Sequence, residues 1–258
     1  MSVNAELMAQ IVLIQLIQPR TRVGVLSLSF PQDMRSGAPA FGDIGQSLHQ
    51  MAFNQMWRSY GIPPTNTDAA LSSSKKIDFQ DGYERSMSAL LSAVSGANLI
   101  CLHGCIHGEL SYHPLQSVLD DDIAGMIGRL LQGIEVSSQT IALDVIHEVG
   151  PIPGCFLTTP HTREWWRRGQ YVPMSADRMT YAEWLATDKR DCLDYAKDNL
   201  ERIVATHQVD PPLTADQEQA IEDVLEEARE HYRGKGLISD DEWTAYRAAI
   251  QSPSYPYG

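Results

Sequence analysis

The run SGANLICLHGCIHGEL, residues 95–110, decides how the rest of the chain is read. Its first half, ANLICLHG, has the apolar composition of a strand. Cys101, His103, Cys105 and His107 then fall on every second position, the period that puts side chains on one face of a strand. Two thiols and two imidazoles on one face could be a metal site or a polar strand end. Same-face neighbours are about 6.6 Å apart, so four of them span roughly 20 Å, whereas zinc holds its ligands at about 2.0–2.3 Å. One straight strand cannot deliver all four; at most an adjacent pair, His103 with Cys105 or Cys105 with His107, could share an ion with help from elsewhere. Gly104 and Gly108 mark the end of the strand and the start of a loop. The stretch therefore reads as a strand that ends in a polar, substrate-facing rim, with Cys101 a small core residue inside the strand.

Working outward, the same unit recurs on both sides. NAELMAQIVLIQLIQP has apolar residues at helical spacing up to Pro19 and predicts a buried helix. RVGVLSLSF (22–30) is a strand, PQDMRSGAPAFG a loop, and DIGQSLHQMAFNQMWRSYG (43–61) a helix bracketed by an N-cap at Asp43 and a C-terminal Gly61. PPTNTDAAL is a short extended piece, and GYERSMSALLSAVSG a helix. DDDIAGMIGRLLQG is a helix with Asp120, Asp121 and Asp122 in its first turn, where they favour the dipole. SSQTIALDVIHEVG (138–149 at its core) is a further helix and GCFLTT (154–159) a fourth strand. Alternating strands and helices imply a parallel sheet, and four strands are half of what a closed (β/α)8 barrel needs. The division expected is a partial (β/α) barrel over 1–175 and a helical region over 176–258 that ends in SPSYPYG, a frayed tail.

Composition narrows the function classes. The formal charge is −13 over 258 residues, which leaves no basic face for phosphate backbones and argues against a nucleic-acid partner. From 201 to 258 there are 12 Asp or Glu against 5 Lys or Arg, a solvated helical surface in preference to a docking patch. The longest apolar run, LMAQIVLIQLI (7–17), is broken by Gln10 and Gln15 and is too short to span a membrane. Without the features of a signal peptide at the N-terminus, the cysteines are expected as reduced thiols in a cytoplasm.

In parallel α/β architectures the reactive groups lie at the C-terminal strand ends. That rule gathers Asp33 after the first strand, Asp68 after the second, His103, Cys105, His107 and Glu109 after the third, and His161 with Thr162 after the fourth. Trp165, Trp166 and Tyr171 follow directly, either as helix packing or as an aromatic cage for a quaternary cation. His147 and Asp144 read as a dipole contact and a surface charge, Trp57 and Tyr60 as core. No glycine-rich phosphate loop, serine nucleophile elbow or HExxH is present.

NAELMAQIVLIQLIQP, the Asp33–Met34 pair, YGIPPTNTDA, DFQDGYERSMSALLSAVSGANLI, LDDDIAGMIGRLLQGI, TIALDVIHEVGPIPGCFLTTPHT and DRMTYAEWL, in that order, resemble the C-terminal half of the trimethylamine methyltransferase family across residues 4 to about 205. The resemblance implies half of a (β/α)8 TIM barrel with a helical C-terminal extension. It also implies transfer of a methyl group from a methylated or quaternary amine, such as trimethylamine or glycine betaine, to the cobalt of a corrinoid (cobalamin) carried by a partner protein. No cofactor would then be bound tightly by this chain. With no non-standard residue, the sequence is similar to the branch that lacks pyrrolysine. Asp68 and the Pro160–His161–Thr162 triplet stand as in the family pattern. CLHGCIHGE replaces a family stretch that reads more like HDVGYLESG, which makes His103, Cys105, His107 and Glu109 specificity contacts. The preceding half of the family's length is missing, so a truncated or split gene, a partner chain bringing the missing strands, or a second copy closing the ring all fit. Two other functions compete: an inactive remnant or binding module of the same fold, and a metal-dependent hydrolase using His103, Cys105 and His107.

Overall fold

The computed structural model describes residues 1–208 and 213–251; the SPSYPYG tail lies outside the described residues. Two compact units are present, 1–204 and 205–258.

In the first unit, β1 (Val25–Leu26), β2 (Pro64–Asn66) and β3 (Leu99–Ile100) form a parallel sheet in sequential order, with Val25 beside Pro64, Leu26 beside Thr65, Thr65 beside Leu99 and Asn66 beside Ile100. The crossovers are α2 (Ile44–Ser59) and α3 (Phe79–Val94). Their ends follow from local chemistry. Asp43 accepts from the Gly45 amide to open α2, Asp78 from the Asp81 amide to open α3, and Gly61 leaves α2 in a left-handed conformation (φ +73°) that glycine adopts without penalty. The apolar core is Val25, Phe53 and fully buried Trp57, with Leu7, Met8 and Ile11 of α1 (Ser2–Ile17) packed against it. Burial alternates along the chain: Val25, Ser27, Asn66 and Asp68 are covered, while Leu26, Leu28 and Leu99 lie open. The helices thus cover one face of the sheet and leave the other face bare.

Five expectations are corrected. GCFLTT forms no strand, because the Phe156 carbonyl is taken by the Thr159 and Thr162 hydroxyls at 2.9 and 2.7 Å. The run closes the N-cap of α7 (Pro160–Gly169) instead of joining a ladder. The helix around the aspartates, α4 (Pro114–Leu131), begins six residues earlier than Asp120, opened by His113 Nδ1 accepting from the Leu115 amide with Pro114 at its first position. Asp120 and Asp122 are therefore buried mid-helix. The helix α1 forms as expected, yet no residue of it is fully buried, and Leu13, Leu16 and Ile17 stay exposed. The 138–149 helix is two, α5 (Ser138–Ile141) and α6 (Leu143–Val149), hinged at left-handed Ala142; Tyr60 is half exposed.

Residues 101–113 depart from a straight strand. After β3 the chain turns through left-handed Gly104, then runs out and back as an antiparallel hairpin, β4 (Cys105–Ile106) with β5 (Ser111–Tyr112), its tip at left-handed His107 and Gly108. The unit closes with α8 (Tyr181–Ala186) and α9 (Cys192–Thr206). The second unit contains α10 (Ala215–Gly234) and α11 (Asp240–Ile250), joined by an Arg233–Asp240 pair at 2.6 Å and by Arg229 over the Tyr246 ring.

Candidate active site

The loops after β1, β2 and β3 are tied together at the C-terminal end of the sheet. The hairpin docks on the loop after β2 by two backbone bonds, His107 N–H to Ser74 C=O (2.8 Å) and Gly108 N–H to Ser72 C=O (2.7 Å). The loop after β1 joins through Ser73 Oγ donating to the Phe41 carbonyl at 3.2 Å, and the Phe41 ring lies against Gly108. A side chain at Gly108 would meet that ring. These tied loops contain Asp33, Asp68, His103, Cys105, His107 and Glu109.

Each plays a distinct part. Asp33 organises its own loop, accepting from the Arg35 and Ser36 amides and pairing with the Arg35 guanidinium at 2.6 Å. Hydrogen bonding from Arg35 holds its carboxyl well below the usual carboxylate range. Asp68 sits beneath the rim, 1% exposed. Gln46 Nε2 reaches both its carbonyl (3.1 Å) and its Oδ2 (3.2 Å), while Oδ1 is buried with no hydrogen-bond partner. Burial pushes this carboxyl up, against hydrogen bonding that favours the charge. His103 and Glu109 are exposed. The Cys101 and Cys105 thiols are half-buried, and both are pushed up, first by burial and then by the Glu109 charge. They are neutral thiols in a negative local field, neither activated nucleophiles nor ready thiolate ligands. Among the described residues no group of three His, Cys, Asp or Glu is placed to hold a metal ion; the break at Gly104 separates Cys101 and His103 from Cys105 and His107.

A cluster that the sequence reading passed over supports the rim from below. Arg85 on α3 is fully buried and donates to Asp81 Oδ1 (2.9 Å), to the Ala70 carbonyl (2.9 Å) and to Asp120 Oδ2 (3.2 Å). Asp120 in turn accepts from the Gly104 amide at 2.8 Å and from Gln116 Nε2 at 2.8 Å. One carboxylate thus joins α3, α4 and the root of the hairpin. Only the Asp81–Arg85 pair, at i,i+4, carried a sequence signal. Beside it, Gln46, Gln50 and Asn54 form a buried polar stripe along α2, with Asn54 Nδ2 on Asn66 Oδ1 (2.7 Å) and Ser95 Oγ (2.8 Å).

His161, Thr162 and Trp165 are grouped apart from the rim. Thr162 spends its hydroxyl on the Phe156 carbonyl. His161 bonds the Gln139 carbonyl at 2.8 Å and stacks on Trp165. Both line a groove with the C-terminal turn of α4. Arg129 of that turn lies nine residues beyond the rim-supporting Asp120, about 13 Å along the helix. The aromatic faces already carry cations, Arg168 over Trp165 and Arg167 over Trp166.

A family described as "Trimethylamine methyltransferase (MTTB)" matches residues 1–232. A glycine betaine methyltransferase of Desulfitobacterium hafniense (strain Y51) is 36% identical over 219 residues, 82% of this chain and 44% of that protein. The trimethylamine methyltransferase MttB of Methanosarcina barkeri is 32% identical over 233 residues, 90% of this chain and 46% of its own length. MttB2 of Methanosarcina mazei is 34% identical over 215 residues, 83% and 42%. The chain spans less than half the length of these curated relatives.

Proposed function

The chain belongs to the trimethylamine methyltransferase family, and from that premise we propose that it forms part of an enzyme that moves a methyl group from a quaternary or methylated amine to a corrinoid protein. The observation that carries this reading is the placement of two acidic side chains, exposed Glu109 and buried Asp68, on loops tied together by backbone bonds at the end of the parallel sheet, which makes the field there negative. A cation of the methylammonium class is drawn to such a field.

The reaction asks little of the protein chemically. A quaternary nitrogen already carries the positive charge, so the C–N bond breaks with its electron pair leaving on a neutral amine, and no proton need be supplied. The corrinoid of the partner protein supplies the nucleophile that accepts the methyl group. The task of this chain is to bind and to orient the methyl carbon, with Glu109 and Asp68 attracting the cation, and His103, Cys105 and His107 shaping the rim. Asp33 fixes the loop after β1. His161, Thr162 and Trp165 take no part in this reading of the rim.

The bare sheet face, with Leu26, Leu28 and Leu99 open, fits three parallel strands of a larger barrel whose remaining strands come from the rest of a longer polypeptide, a partner chain or a second copy. Among the described residues no helix is long and apolar enough to cross a membrane. We place the protein in the cytoplasm, where Cys101, Cys105, Cys155 and Cys192 stay as free thiols.

The test is methyl transfer to a purified corrinoid protein, followed by its visible spectrum, with the chain supplied together with the N-terminal half of a longer relative. Turnover of glycine betaine or trimethylamine that falls on Glu109→Gln supports the assignment. Ligand binding without turnover would instead identify a binding module that has lost the chemistry.

A further inference from the structure

The groove between α4 and α7 holds chemistry that the rim does not use. It encloses about 830 Å³, and Arg129, Arg167, Arg168 and His161 all line it, against Glu135 as the one acidic lining residue. In a chain with 33 acidic and 20 basic residues, such a concentration of positive charge runs against the composition. The ion pairs among the described residues engage Arg35, Arg85, Arg190, Arg229 and Arg233; the three groove arginines pair with no carboxylate there. Arg129 Nη1 donates to the Gly133 carbonyl at 2.9 Å, but its Nε is buried with no hydrogen-bond partner. Arg167 and Arg168 rest on indole faces, which orders their long side chains and reduces the entropy lost when a ligand engages them. Gly128 and Gly133 have open space where a Cβ would stand.

We propose that this groove binds a small phosphate-bearing anion. Three guanidinium groups in one groove repel one another and are relieved best by more than one negative charge. Their forked N–H donors match phosphate oxygens. The same charges repel a quaternary ammonium. The inference is independent of the methyl-transfer reading, since neither rim residues nor a corrinoid enter it.

The test is isothermal titration calorimetry of the full chain at low salt with inorganic pyrophosphate, and with tetramethylammonium chloride as the cationic control. The expected result is saturable binding of pyrophosphate, weakened by added salt, with any tetramethylammonium heat lost on Glu109→Gln and kept on Arg168→Gln, since the rim and not the groove draws that cation. Arg168→Gln should lower the affinity about tenfold or more. Gly128→Glu, which sets a carboxylate into open space, should abolish binding while the circular dichroism spectrum is retained. Adenosine monophosphate as a second probe separates the sources: binding tighter than that of phosphate marks a nucleotide site, equal binding a site for the free anion. No saturable heat with pyrophosphate, or equal affinity in wild type, Arg168→Gln and Gly128→Glu, would overturn the proposal.

Discussion

Two rim carboxylates make opposite demands on their surroundings. The raised titration of Asp68 means that the folded state holds its proton more tightly than the unfolded chain does. Its stabilising contribution is therefore complete below the usual carboxylate range and is lost as pH rises through the folded value. Asp68→Asn should raise the melting temperature at pH 7, converge with wild type near pH 4, and lower methyl transfer; a melting temperature below wild type at pH 7 would mean that the ionised carboxylate is held by the fold. Such a gain of stability with loss of activity is the usual mark of a group kept for function. Glu109 acts outward. Glu109→Gln removes a negative charge that pushes Cys101 and Cys105 up, so their alkylation by iodoacetamide at pH 8, followed by peptide mass spectrometry, should speed up. Asp33, Asp68 and residues 103–109 could be gathered from the sequence because each follows a strand. Arg85 and Asp120 could not be joined, since 35 residues separate them and no local period announces such a pair. The groove arginines were equally hidden, because a net negative charge says nothing of where the positive side chains converge.

At the scale of elements, the hairpin root and α4 depend on each other. Gly104 is left-handed (φ +78°), and an added Cβ would run into the Ser117 hydroxyl. Gly104→Ala should therefore cost about 1–2 kcal/mol from backbone conformation alone, read by urea denaturation. Asp120→Ala takes one of two carboxylates from a fully buried guanidinium and should cost about 3 kcal/mol, with faster hydrogen exchange at the hairpin amides. Element types were largely legible. Asp43 with Gly61 bracketed α2, and alternation found β1. Two of the misses share a cause: local side-chain bonds decided against the pattern. Phe156 lost a strand to two threonine hydroxyls, and His113 with Pro114 moved the start of α4 ahead of the acidic run that looked like a first turn.

For the whole molecule, the bare face dominates. Leu28 is 63% exposed, Leu16 76% and Ile17 75%, apolar surface of the kind that proteins cover. Light scattering on the isolated chain should find self-association or aggregation that a complementing half suppresses, and a monodisperse monomer would contradict this. The helix α1 illustrates why the sequence could not foresee it: apolar periodicity records that a face is to be covered but not which chain covers it. Within the described first unit, freedom to change is unevenly distributed. Both peptide groups of Gly104 are committed, its amide to buried Asp120 and its carbonyl to the His113 amide at 2.8 Å, so the hairpin leaves and re-enters the fold through one clasp. Residues 105–112 thus form an interchangeable cassette. Under the proposed function, a library varying Cys105, Ile106, Glu109 and Leu110 while sparing Gly104, His113 and Asp120 should change ligand preference without refolding the frame.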